Sequence, residues 1–327
     1  MTRSFLLAWI MFGCVPVPAT AQMSFQAYPA GAVYNKSSRS IQPLVGFPGS
    51  SYLGLPLLSD VDAASIAPDG SKAWVSKEGR SGFWTGLLAG AATDTAVVGL
   101  IDGVERVAWN SNGSAALLYA ASGKQLQVIR FNGQKAAVGE PIDGGFLGQG
   151  RVTALAVDTT GQRIAVGISH RQGGALYSWT AEEGPSLLAS MEPVAATFDE
   201  EGTRLYAIDG GSLKILEFDN LSGPLEFALL ASSDGAKVDP AGIAVSRKGR
   251  YLIMVDRANP SVRVYATADG SLANTFSLDF APSRLERLSA DGVFLLNRPG
   301  PDEWMLVLDA RETPCVYFVP ASPKDPK

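Results

Sequence analysis

Short apolar runs alternate with polar turns along almost the whole chain, and one arrangement returns six times between residues 63 and 297. Each copy is an apolar run, a four-residue polar turn that closes on glycine, and a second apolar run. The turns are Ala67-Pro68-Asp69-Gly70, Asn110-Ser111-Asn112-Gly113, Asp158-Thr159-Thr160-Gly161, Asp199-Glu200-Glu201-Gly202, Ser246-Arg247-Lys248-Gly249 and Ser289-Ala290-Asp291-Gly292. Asp, Asn or Ser at the first turn position accepts backbone hydrogen bonds, and the closing glycine takes the positive φ that lets the chain double back. The second runs, such as 115–120 (AALLYA), 163–168 (RIAVGI) and 251–255 (YLIMV), are nearly continuous in hydrophobicity. Strands covered on both faces read that way. A second, more variable hairpin follows most copies, clearest at 125–131 turning through Asn132-Gly133 and at 261–265 turning through Asp269-Gly270.

The closing glycines stand 43, 48, 41, 47 and 43 residues apart. Four short strands at a period of about 40–50 residues predict an all-β chain folded as a single β-propeller of four-stranded antiparallel blades. Six inner hairpins give six blades as the preferred count. An extra piece at 32–46 precedes them: 32–34 and 41–45 look like one more outer hairpin, turning through 35–40. It either closes or edges a six-bladed ring, or helps build a seventh blade that joins the two chain ends.

Three of the repeats carry a resemblance. The stretches 242–256 (GIAVSRKGRYLIMVD), 154–166 (ALAVDTTGQRIAV) and 195–208 resemble the core of bacterial NHL, YVTN and WD40-like propeller repeats, over roughly residues 60–320. Gly-His and Trp-Asp dipeptides, which mark true WD40 repeats, are missing at the repeat positions. The resemblance implies the fold and a frequent role in binding proteins or ligands. It implies no particular activity.

Composition narrows the picture further. A 327-residue chain that is 46% hydrophobic can bury a large core. A net charge of −5, with no clustered run of Lys and Arg, argues against nucleic acid as a partner. Residues 1–21 read as an export signal: Arg3, the apolar run 5–12 (FLLAWIMF), helix-breaking Pro16 and Pro18, and Ala19-Thr20-Ala21 as the cleavage site. The run is too short to span a bilayer, and no transmembrane segment is expected elsewhere. The propeller then occupies 22–319, with 320–327 a disordered tail. The expectation is an exported monomer, periplasmic or extracellular. Lipid attachment through Cys14 is the alternative, although Met11-Phe12-Gly13-Cys14 departs from the usual lipoprotein pattern. Cleavage after Ala21 would leave only Cys315, expected in the core as a small hydrophobe.

On a propeller, the loops leading into each first strand and the turns between second and third strands gather on one face around the central channel. Polar residues placed there are Lys77, Glu78, Arg80, His170, Arg171, Asp209, Asp256, Arg257, Asn259, Asn297 and Arg298 on the turns. Asp60, Asp62, Glu105, Arg151, Glu192 and Asp239 lie on the leading loops. The ligand-face candidates are Asp60, Asp62, Glu78, Arg80, His170, Arg171, Asp209, Asp256, Arg257 and Asn259. Asp209 and Asp256 end equivalent second strands, so they read either as turn caps or as oxygen ligands for calcium. His170, the lone histidine, has no Gly-x-Ser-x-Gly elbow to accompany it and reads as a surface residue. The glycine cluster 144–150 has no strand-to-helix context for a phosphate loop and reads as a connection between blades.

No catalytic residue, resident cofactor or metal is therefore assigned. The leading expectation is a non-catalytic scaffold that takes a protein partner or small ligand on the loop face. The rival is a hydrolase or lactonase at the channel mouth, with calcium held by Asp60, Asp209 and Asp256 and polarising a carbonyl oxygen.

Overall fold

The computed structural model describes residues 29–47, 49–95, 97–171, 173–230, 237–297 and 304–320. The proposed leader, Cys14 and residues 321–327 of the tail lie outside these. The described residues form seven separate antiparallel sheets, at 29–53, 63–95, 106–143, 151–190, 193–229, 240–277 and 286–319, numbered here as blades 1 to 7. Blades 2 and 4 to 7 have four strands each in sequence order. Blade 3 gains a short fifth segment, Ile142–Asp143, against its third strand.

The recurring turn has a recurring hydrogen bond. The side-chain oxygen at the first turn position accepts the N–H five residues on, where the second strand begins. Ala115 donates to Asn110 at 3.1 Å, Arg163 to Asp158 at 3.2 Å, Arg204 to Asp199 at 3.2 Å and Tyr251 to Ser246 at 2.9 Å. The closing glycines all have φ between 64° and 94°. In these four inner hairpins polar turn chemistry thus fixes the register, and register decides which side chains face the neighbouring blade.

Packing between blades supplies the core. There are seven apolar clusters among the described residues, one for each pair of neighbouring blades. Between blades 2 and 3, Phe83 is fully buried and meets Phe131 and Trp109 edge-on, with ring centroids 5.1 and 5.8 Å away. The ring closes between blades 7 and 1, where Val33, Leu44 and Leu53 pack against Leu288, Val293, Leu295, Met305, Val307 and Val319. No strand crosses this seam among the described residues, and the apolar side chains pack across it.

Seven blades correct the expected six. Blade 1 is a three-stranded sheet, Pro29–Asn35, Ser40–Phe47 and Ser50–Leu53, rather than an edge hairpin. Its first strand begins beside Leu288, where a β carbon on Gly31 would stand 2.4 Å from the carbonyl oxygen. It ends where the Tyr34 hydroxyl donates to the carbonyl of Asp62 at 2.8 Å, at the start of blade 2's first strand. It therefore runs opposite to the first strands on either side, in the direction of a second strand. The hairpin at 32–46 thus holds second- and third-strand positions, not the third and fourth expected. A count based on inner hairpins misses this blade because its described residues contain no inner hairpin closed by a four-residue polar turn ending in glycine.

Cys315, expected in the core, is only half-buried, at the start of blade 7's outer strand. No helix of the described residues is long and apolar enough to cross a membrane.

Candidate functional site

The loop face carries the sequence candidates, but the fold distributes them around the ring instead of gathering them. Asp62 joins two blades: it pairs with Arg39 at 2.5 Å and accepts the Glu78 N–H at 2.9 Å. Glu78 and Gly79, both at positive φ, form the tight turn after blade 2's second strand. Glu78 and Arg80 line a shallow cleft of about 320 Å³ on the outer half of that blade, with Lys77, Trp84 and Asp94. Asp60 is exposed at φ 60°.

Asp209 and Asp256 are occupied by their own turns. Asp209 accepts the N–H groups of Glu192 and Gly211 at 2.8 and 3.1 Å on one oxygen, and the Ser212 hydroxyl at 2.5 Å on the other. Asp256 is fully buried. Its Oδ1 accepts from the backbone of Asp239, Ala258 and Asn259, and its Oδ2 from Arg263 Nη2 at 3.1 Å. Next to it, Arg257 makes a two-pronged pair with Asp239 at 2.9 and 3.1 Å, and Asn259 donates to the Lys237 carbonyl. These side chains do not fit calcium: their oxygens already face N–H and O–H donors. Among the described residues no three His, Cys, Asp or Glu converge as ligands.

The central channel holds a cavity of about 540 Å³, bounded by the first strands of blades 2, 3, 5, 6 and 7. Small and apolar residues make up most of this lining, but blade 3 contributes Glu105 and Arg106, and blade 7 Arg284, Glu286 and Arg287. Arg284 and Glu286 form an ion pair. Arg287 stacks its guanidinium over the Phe294 ring, 4.8 Å from the centroid, and donates through Nη2 to the Val245 carbonyl. Its Nη1 is sealed without a partner among the described residues. Burial lowers the Arg287 group to about 10, still charged at neutral pH. The backbone explains part of this placement: a register shift between Arg287 and Ser289 leaves Leu288 unpaired, as a bulge that turns the strand. The sequence does hold a signal. Five positions before each turn glycine stand Ser65, Ala108, Ala156, Thr197 and Ala244, and only the last repeat has an arginine, Arg287.

A second cavity opens at the seam of blades 3 and 4, beside the channel mouth. It measures about 420 Å³ and is lined by Glu105, Arg106, Tyr119, Lys124, Gln149 and Arg151, among others. Arg106 Nη1 donates to the Val152 carbonyl at 2.5 Å and Lys124 Nζ to the Gly148 carbonyl at 2.8 Å. Desolvation and, after it, the nearby Arg151 charge lower the Arg106 group from its ordinary value. Burial, then the Glu105 charge, raise the Tyr119 phenol, keeping it a neutral donor at physiological pH. Gln149 links this cleft to a shallower one of about 570 Å³ that holds His170 and Arg171. His170 is exposed and its ring lies against Gly150, where a β carbon would come within 2.6 Å of Cε1. Of this group the candidate list contained only His170 and Arg171. Arg106 and Tyr119 are cross-strand partners in blade 3 and Lys124 lies in the turn that follows, whereas Gln149 and Arg151 reach them only because blade 4 packs alongside.

The fold is that of a β-propeller. No family model matches the chain, and no curated protein matches it in sequence. Solved structures do. The chain is similar to a protein from Lactobacillus plantarum at a TM-score of 0.61 and 12% identity, over 89% of this chain and 95% of that one. It is similar to the periplasmic gluconolactonase PpgL of Pseudomonas aeruginosa at 0.58 and 15% identity, over 90% and 97%. The β-propeller domain of Myceliophteria thermophila Cps50 (Swd1) follows at 0.50 and 12%, over 82% and 93%. At these identities the likeness extends to fold alone.

Proposed function

We propose that the chain is an exported, non-catalytic propeller that binds a ligand or protein partner through its loop face. The observation that carries this reading is how the charges on that face are used. Of the three carboxylates that would serve a metal-assisted hydrolase, Asp209 and Asp256 are committed to their own turns and Asp60 is exposed, while the nearby Asp62 and Asp239 are held in ion pairs. Among the described residues, the cationic groups of the cleft between blades 3 and 4 have no carboxylate partner. Mild cross-linking in the producing cell, followed by affinity capture, tests the proposal. The wild type should retain a defined partner that the double variant Arg80→Glu, Arg171→Glu releases. Turnover of a small ester or lactone by the purified protein, with no partner captured, would overturn it.

A gluconolactonase among the similar structures keeps the hydrolase reading in view. Its calcium form makes a cheap comparison. Thermal melts with and without about 5 mM calcium should coincide, because a ligand of the native state raises the midpoint by mass action only if it binds. A rise that disappears in Asp60→Ala would instead favour the metal-assisted hydrolase.

A further inference from the structure

We propose that the cleft between blades 3 and 4 is a binding site for a small hydroxylated organic anion, whose carboxylate or phosphate is held by Arg106 and Arg151. The inference rests on the binding reading above and names the ligand class of the same face. Three cations, Arg106, Lys124 and Arg151, line one cleft with a single carboxylate, Glu105. The protein as a whole carries a net charge of −5, so this concentration of positive charge runs against the composition of the surface. Among the described residues the Arg151 side chain has no hydrogen-bond or ion-pair partner, and the Arg106 guanidinium uses only Nη1, leaving Nε and Nη2 without an acceptor.

Two guanidinium groups close enough to repel one another are stabilised when an anion lies between them. Their planar forks match the paired oxygens of a carboxylate or phosphate. The remaining lining sets the rest of the ligand. The neutral Tyr119 hydroxyl can donate to an oxygen, the Gln149 amide can donate and accept, and Glu105 can accept from a hydroxyl. Glu105 also disfavours a ligand with a second anionic group placed against it. Glycine at 150 keeps the wall low and admits the His170 ring, whose cleft adjoins through Gln149.

Isothermal titration of the purified protein at low ionic strength, with inorganic phosphate, glycolate and acetate as probes up to about 20 mM, tests the proposal. Saturable binding of phosphate assigns the phosphate arm, and saturable binding of glycolate the carboxylate arm. Glycolate binding more tightly than acetate would confirm the hydroxyl contact. Arg151→Glu replaces an exposed side chain without a partner, so folding should survive. It should weaken the bound probe by about tenfold or more, and Arg106→Gln should do likewise. Lys135→Glu makes the same change of charge on an exposed outer-strand residue and should leave affinity as it was. No saturable binding of any probe, or binding that Arg151→Glu leaves intact, overturns the site. The outcome is separable from the broader reading: partner capture can succeed while every probe fails, and an anionic ester that is hydrolysed would confirm the cleft while overturning the non-catalytic role.

Discussion

Asp256→Ala is expected to destabilise the protein by about 3–5 kcal/mol, the cost of leaving a buried charge without its partner. Asp256 has no exposure to solvent and accepts four hydrogen bonds, three from backbone N–H groups and one from Arg263. Arg263 is itself anchored, donating through Nη1 to the Leu230 carbonyl at 2.8 Å, and its side chain is only 14% exposed. Truncation would strand this guanidinium and remove the acceptor for the turn that joins the second and third strands of blade 6. Asp256→Asn keeps the shape and one acceptor oxygen but turns an N–H₂ group toward donors, so its loss should be intermediate. Urea denaturation read by far-ultraviolet circular dichroism measures both, without the ionic screening that guanidinium would add. An alanine variant within about 1 kcal/mol of wild type would show that the pair contributes no more than a surface one.

Phe83→Ala should cost a similar amount, about 3–5 kcal/mol, for a different reason. Phe83 lies on the third strand of blade 2, Arg80–Thr85, and is wholly enclosed. Its ring meets Phe131 and Trp109, which are themselves 5.7 Å apart between centroids, so three aromatic rings bridge the seam to blade 3. Alanine leaves a void that the two partner rings cannot close, since each is fixed on a separate strand of blade 3. Phe83→Leu fills most of that volume and should cost about 1–1.5 kcal/mol. Near-ultraviolet circular dichroism, to which Trp109 contributes along with the other tryptophans, gives a tertiary readout beside the global one. Equal losses for alanine and leucine would mean that edge-on ring contacts, rather than filled volume, dominate the seam.

The repeat was legible because its causes are local. Asn110, Asp158, Asp199 and Ser246 each cap the strand that follows five residues later, so turn chemistry and the apolar runs announce one another. Blade 1 lacks those marks. It turns through residues 36–39 with Arg39, not glycine, at positive φ, and Gln42 and Pro43 break the apolar run of the otherwise continuous strand Ser40–Phe47. The loop face was legible as a list of positions, and the dual reading of Asp209 and Asp256 was open until their donors could be counted. Which polar groups converge was not legible. Arg106 and Arg151 belong to different repeats, and only the packing of blades 3 and 4 brings them to one cleft.

The seam between blades 7 and 1 sets an order on synthesis. Val33, Leu44 and Leu53 are made long before Val307 and Val319, their partners across the seam. Closing so long a stretch of chain is slow compared with pairing neighbours, which lie within one repeat of each other. Until the final strand arrives, one side of the earliest blade has no partner and exposes apolar surface of the kind that chaperones recognise and aggregates share. A chain cut short before residue 319 would keep that surface open for good, so the fold of blade 1 is complete only once the strand at 315–319 has been made.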